Sequence, residues 1–441
     1  MMHMRLAALW FLATANLVAA DWPQWRGPFF NGSTTETNLP ASWDATKHLR
    51  WVLPTPGPSA ATPVIADGRV FLVAAEKTAQ QVLALAVNAT NGQLLWSRVL
   101  SPDSKVISGN NDMASPSPVT DGKSVWFMTG TGVLTAFTVD GQLLWRRDLA
   151  EDGAFAIQHG YSSSPLLFDG RLYIVVMQND NPQRYGQNPG RKGPFDSYLL
   201  ALDSATGKTL WKQVRPTNAT DESRESYITP YPFVWKQRRE IVLAGGECVT
   251  GHDAVSGAEL WRWWFSPSDR QTSQHTDPTP VGLEDLLFVI RPQRRPLFAL
   301  RPEGRGVLGD SVVAWKYEEN RGWIASPLVY KGRLYVLQEQ ERALVCLEPR
   351  TGRLLWRQQL PVRVPLQASP TGADDKIYGI SLLGEVVALA ADDDPRLLGL
   401  MPMAEPLCRS TIAVANGRLY VRTARHLYCV GYPAAASGQS R

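Results

Sequence analysis

Histidine, cysteine and long apolar runs are all scarce in this chain. Its 441 residues include only 6 histidines and 4 cysteines, and neither His159 nor His275 has the short ligand spacing of a recognisable zinc site. After the N-terminus, no stretch approaches the roughly 18 consecutive apolar residues of a membrane-spanning helix. Neither sign of charge dominates: Lys+Arg number 45 against Asp+Glu 41, a net +4. No dense Lys/Arg run occurs, which leaves nucleic-acid binding without support.

The N-terminus is the apolar exception. MMHMRLAALWFLATANLVAADW places Arg5 before an apolar core, Leu6 to Leu12, and small residues before a cut after Ala20. Residues 1–20 therefore read as a secretory signal peptide. Position 21 is Asp, not the Cys that a lipoprotein would acylate. The expectation is a periplasmic or secreted monomer without a lipid anchor.

What the chain has in quantity is repetition marked by Gly and Trp. In Leu199 to Trp211, LLALDSATGKTLW, an apolar strand leads through a turn into a second strand. Gly207 suits the positive-φ position of the turn, and Asp203 and Thr206 can bond local backbone groups. Related phrases end at Trp96, Trp145, Trp261 and Trp356. Upstream of each lies a second phrase, Ser/Thr-Pro, then an apolar strand, a turn and another strand, as in SSPLLFDGRLYIV around Pro165. The two phrases together make a four-stranded antiparallel sheet.

Four short strands with Gly-marked turns and a late Trp are the signature of a β-propeller blade. Trp51, Trp96, Trp145, Trp211, Trp261, Trp315 and Trp356 are separated by 45, 49, 66, 50, 54 and 41 residues, and a further unit near Leu400 lacks the Trp. Upstream phrases begin near Pro63, Pro118, Pro165, Pro230, Pro280, Pro327, Pro370 and Ile412. The last unit lacks a fourth strand, while Leu49–Leu53 is a fourth strand with no blade before it. The expected fold is all-β: an eight-bladed propeller of four-stranded antiparallel blades, closed by the N-terminal strand, which removes an exposed edge. The expected organisation is signal peptide 1–20, aromatic arm 21–44, propeller 45–433 and disordered tail 434–441.

The A-x-D-x-x-T-G-x-x-x-W pattern, complete at Ala201, Asp203, Thr206, Gly207 and Trp211, resembles the tryptophan-docking motif of the pyrroloquinoline-quinone (PQQ) repeat family. The resemblance covers roughly residues 45–433. Relatives include the quinoprotein alcohol dehydrogenases and the lipoprotein of the outer-membrane β-barrel assembly machine. The resemblance implies structural roles for Trp96, Trp145, Ala201, Gly207, Trp211, Trp261 and Trp356. For the dehydrogenases it also implies PQQ with calcium, a catalytic Asp and commonly an adjacent Cys-Cys pair. No two cysteines are adjacent here and no Cys-x-x-Cys-His occurs. Cys248, Cys346 and Cys429 fall on third strands of different blades, too far apart for a disulfide. Buried free thiols are expected, with only Cys408–Cys429 left open as a pair.

Chemistry is sought in the loops leading into each first strand, because that strand is innermost and its loop opens on the central channel. These loops project Asn111, Asp112, His159, Tyr161, Tyr227, His275, Asp277, Arg321, Trp323, Gln367 and Arg409 towards one funnel, resembling a binding-site inventory. A wide channel lined by polar groups and water would yield a similar set. His159 and His275 lie two blades apart, and the ring is expected to hold them too far apart to share a metal. No catalytic or metal residue is assigned. The arm's Trp22, Trp25 and Trp43 are expected to pack across blade surfaces. Trp264 is expected on the opposite face from Trp261, as a possible partner contact. The insertion from Met177 to Ser197, with Arg184, Tyr185, Arg191 and Lys192, is long enough to be functional or disordered.

The leading functional reading is an exported non-catalytic propeller, a protein-interaction or ligand-binding scaffold in the cell envelope. Two alternatives stand beside it: a PQQ-dependent quinoprotein oxidoreductase acting on alcohols or sugars, and a glycan or small-molecule binder.

Overall fold

The structure, a computed structural model, describes residues 21–433 except 45, 103–110, 153–154, 181–194, 266–273, 293–295 and 404. The expected signal peptide, the tail and the charged residues of the insertion, Arg184 to Lys192, lie outside the described residues. Eight antiparallel sheets form a ring. Blades 1 to 7 span residues 64–101, 119–148, 166–214, 231–264, 281–317, 328–359 and 371–402. Blade 8 joins 413–431 to the N-terminal strand Leu49–Pro54, which pairs antiparallel with His426–Gly431 and closes the ring. Blade 4 departs from the four-stranded expectation. Gly306–Leu308, from the connection inside blade 5, adds a fifth strand parallel to Glu259–Trp264.

The late Trp needs a small residue opposite it on the third strand. Ala86, Ala136, Ala201, Gly251 and Ala299 face Trp96, Trp145, Trp211, Trp261 and Trp315. Cys346 and Cys429 take this position opposite Trp356 and Trp51. Burial raises the pKa of both thiols, and all four cysteines are buried and free. Cys346 and Cys429 serve as small residues under the indoles, while Cys248 Sγ accepts the Arg215 guanidinium at 3.1 Å and Cys408 donates to the Glu405 carbonyl at 3.1 Å.

Each indole also reaches the next blade. Trp51, Trp96, Trp145, Trp211 and Trp315 lie against Gly92, Gly141, Gly207, Gly257 and Gly352, glycines with positive φ whose absent Cβ leaves room for the ring. Trp261 differs: it is fully buried and donates to Glu240 Oε2 at 2.6 Å. Blade 7 has Gly399 at the Trp position, opposite Ala388. The arm's Ala41 carbonyl fills that space, 2.1 Å from where a Cβ on Gly399 would sit.

The Ser/Thr-Pro phrase has its own physical basis. The residue before Pro is held extended, and its backbone N–H donates to the hydroxyl of the equivalent residue in the next blade. The chain of bonds runs Thr62 to Ser117 (2.9 Å), Ser117 to Ser164 (3.0 Å), Ser164 to Thr229 (3.3 Å) and Thr229 to Thr279 (2.9 Å). It continues Thr279 to Ser326 (2.9 Å), Ser326 to Ser369 (3.0 Å) and, past one gap, Thr411 to Thr62 (3.2 Å). A girdle of hydroxyls therefore lines the inner rim.

The N-terminal arm crosses the axis beside this girdle. Trp22 exchanges backbone hydrogen bonds with Ile65 of blade 1, and Thr120 N–H of blade 2 donates to the Pro23 carbonyl. On the far side, buried Arg26 donates to the carbonyls of Pro327 (2.7 Å) and Pro370 (3.3 Å) in front of blades 6 and 7. Trp22 and Trp43 are buried as expected for packing aromatics. Trp25 differs, because it faces the channel.

Candidate functional site

The lead-in loops and the arm enclose a cavity of ≈490 Å³ on the ring axis. Asn111, His159, Tyr227, His275, Asp277, Trp323, Gln367 and Arg409 line it, eight of the eleven residues projected from the sequence. Ser117, Ser164 and Thr229 of the girdle also line it, and Trp25 meets it at that level. The arm bonds to blades on opposite sides of the ring, and its Trp25 lines the cavity at that level.

Three projected residues do not line the pocket. Tyr161 is buried against Phe155, with ring centroids 5.6 Å apart. Asp112 is half-buried behind the wall, where it accepts the Ala114 N–H at 2.9 Å. Arg321 is exposed and its guanidinium donates to the Asn320 carbonyl at 2.9 Å. Trp264 is half-buried beneath the Arg262 guanidinium, 5.3 Å from the ring centroid, while Trp261 and Trp263 are buried.

One wall carries most of the polar chemistry. His159 and His275, expected to be held apart, have ring centroids 5.5 Å apart. Tyr227, from the lead-in of the intervening blade 4, joins the two loops: its N–H donates to the Thr276 carbonyl at 2.8 Å. His275 Nδ1 lies 2.7 Å from Glu222 Oε1 and its Nε2 lies 3.3 Å from Asp277 Oδ2. Burial alone would lower the imidazole pKa, but Asp277 and Glu222 outweigh it and hold His275 at about 10. Burial, then the neighbouring His275, lowers His159.

Behind this wall Glu225 is fully buried, and burial pushes its carboxyl up to about 7. It accepts the Tyr227 hydroxyl at 2.8 Å, the Asn179 amide at 3.1 Å and the Gln158 N–H at 3.1 Å. The Tyr227 oxygen in turn accepts the His159 N–H at 3.2 Å. Glu339, also fully buried and pushed up to about 7 by burial, accepts the N–H groups of Ile324 and Ala325, each at 2.8 Å, and so fixes the loop that presents Trp323. On the opposite wall Arg409 Nε donates to Gln367 Oε1 at 2.9 Å.

Sequence reasoning missed Trp25, Glu222, Glu225 and the girdle hydroxyls. The Ser/Thr-Pro repeat carried a signal for the hydroxyls. Glu222 sits in the short helical turn Asp221–Arg224, outside the repeat pattern, and had none.

Sequence comparison matches the family described as outer membrane protein assembly factor BamB over residues 32–179, 83–307 and 245–397. A quinohemoprotein alcohol dehydrogenase of Comamonas testosteroni is 37% identical over 184 residues, covering 38% of this chain and 24% of that protein. The dehydrogenase subunit of an alcohol dehydrogenase (quinone) of Komagataeibacter europaeus is 28% identical over 182 residues, again 38% of this chain and 24% of that protein. The matches therefore span about a quarter of these relatives' length. Among solved structures, BamB from Moraxella catarrhalis superposes with a TM-score of 0.60 at 14% identity, covering 87% of this chain and 99% of that one. The Comamonas testosteroni dehydrogenase superposes with a TM-score of 0.68 at 12% identity, covering 95% and 82%. At these identities the structural likeness is one of fold.

Proposed function

The chain belongs to the β-propeller family described as outer membrane protein assembly factor BamB, and from that premise we propose an exported, non-catalytic binding propeller of the cell envelope. The observation that carries this reading is the axial pocket, whose polar and aromatic groups come from separate blades around one mouth. Such a concave site, mixed in character and built on a rigid ring, suits a polar ligand or a polar side chain carried by an envelope partner. Tryptophan docking between blades supplies the rigidity in this reading. Export would leave a mature N-terminus at Asp21, which Edman sequencing of the secreted protein checks.

The dehydrogenase relatives raise the alternative of a bound quinone. PQQ carries several carboxylates, and the charges around the pocket count against it. Glu222 and Asp277 already bracket His275, and Arg409 is the one arginine among the described lining residues. The cysteines are single and buried in separate places. With Glu222 and Asp277 balancing His275 and Arg409, a neutral ligand is the better electrostatic match.

The test is titration of the purified protein with PQQ, with and without calcium, followed by tryptophan fluorescence and then by dye-linked oxidation of alcohols and sugars. The expected result is no turnover, together with capture of an envelope component that weakens in Trp323→Ala and Arg409→Ala. Saturable quinone binding with turnover would overturn the proposal.

A further inference from the structure

We propose that His159, Glu222 and His275 form a binding site for a divalent transition-metal ion, with Zn(II) as the reference ion, in the wall of the axial pocket. The inference goes beyond the binding role proposed above and does not depend on it. The three side chains come from three segments, and one ligating atom from each lies within 4.8 Å of the others. Ligands around a tetrahedral zinc sit about 3.3 Å apart, given bonds near 2.0–2.1 Å, so small side-chain rotations would complete the shell.

The donor types decide the class of ion. Calcium and magnesium take oxygen ligands, whereas two imidazoles with one carboxylate suit zinc and its neighbours in the first transition row. With three protein ligands, a fourth position stays open to the pocket.

The surroundings also suit a metal. If His275 binds through Nδ1, beside Glu222, the metal displaces the proton that its carboxylates hold on that nitrogen, and its other nitrogen keeps its proton and faces Asp277 at 3.3 Å. A carboxylate on the non-ligating nitrogen is the usual device that orients a metal-bound histidine. The His159 backbone is fixed by Tyr227 and by Asn111, whose Nδ2 donates to the His159 carbonyl at 2.7 Å. The ring itself has a buried Nδ1 with no hydrogen-bond partner. A purely structural ion pair of His275 with its two carboxylates would leave that imidazole, facing His275, without a task.

The experiment uses untagged protein stripped with a chelator, titrated with zinc chloride by calorimetry and with Co(II) by visible absorption. The expected result is one equivalent bound, with affinity reduced at least tenfold in His159→Ala and Glu222→Gln and about tenfold in Asp277→Asn. His48→Ala, outside the pocket, should bind as the parent does. His275→Ala removes a paired buried group and can fail to fold; His159, whose ring is only partly buried, keeps the test open. No stoichiometric binding, or binding undiminished in His159→Ala, would overturn the inference. Capture of an envelope component would then stand or fall separately.

Discussion

Gly170 and Gly207 sit in two turns of blade 3 with nearly the same backbone, φ +71° and +70°. A Cβ added at Gly170 would meet nothing within 4 Å, whereas at Gly207 it would lie 2.7 Å from Trp145 Cε3 and 2.8 Å from Cδ2. An alanine held in the left-handed region costs about 1–2 kcal/mol, partly offset by about 0.4–1 kcal/mol from a stiffer unfolded chain. Gly170→Ala should therefore destabilise by about 1 kcal/mol. Gly207→Ala carries the same term plus overpacking of about 1–3 kcal/mol, because the Trp145 ring is pinned through its Nε1–H to the Ser204 carbonyl at 3.0 Å. Urea titration of the two variants reads the difference directly. The Trp145→Ala background supplies the control: there the extra cost at Gly207 should vanish. Equal losses in the two single variants, or an undiminished gap without the indole, would refute the account of glycine as a seat for the neighbouring ring.

Other consequences can be checked with single substitutions. Ser164→Ala leaves the buried Ser117 N–H without its acceptor and should cost about 1–3 kcal/mol in thermal or urea unfolding, while Ser164→Thr should be tolerated, since Thr229 and Thr279 do the same task in the next blades. Arg26→Met removes the donors to the Pro327 and Pro370 carbonyls. It should destabilise by a few kcal/mol and expose the arm to limited proteolysis, and an arm as resistant as the parent's would contradict its anchoring role. Glu339, with its carboxyl raised by burial to about 7, contributes stability that is full below its ordinary value near 4.5 and lost as pH rises through 7. Glu339→Gln should therefore flatten the fall in stability between about pH 4.5 and 7, measured by urea titrations across that range.

The propeller was legible in sequence because its determinants are local and repeated. A Trp, the glycine that seats it and the small residue opposite recur within one blade length, so the blades and their closure by Leu49–Pro54 could be placed by spacing. Local spacing did not disclose the fifth strand of blade 4, since Gly306–Leu308 comes from the following blade. The pocket was legible in part for a similar reason. Lead-in loops announce themselves by preceding Ser/Thr-Pro, but which side chains turn inward depends on loop backbone, and Tyr161 and Arg321 turned elsewhere. The approach of His159 to His275 is set by how three loops converge across a blade, and no repeat encodes that.

The arm also fixes the order in which this molecule can be finished. Its residues are synthesised first, yet Arg26 bonds to the Pro370 carbonyl, 344 positions later, and Leu49–Pro54 waits for His426–Gly431. Contacts of such long range make folding slow, because loop closure must precede the gain. A chain interrupted before its last blade carries an unpaired strand at each end of an open arc, the kind of edge that recruits other chains. The native ring is thus an all-or-nothing product, completed only once the C-terminal strand is available to pair with the N-terminal one.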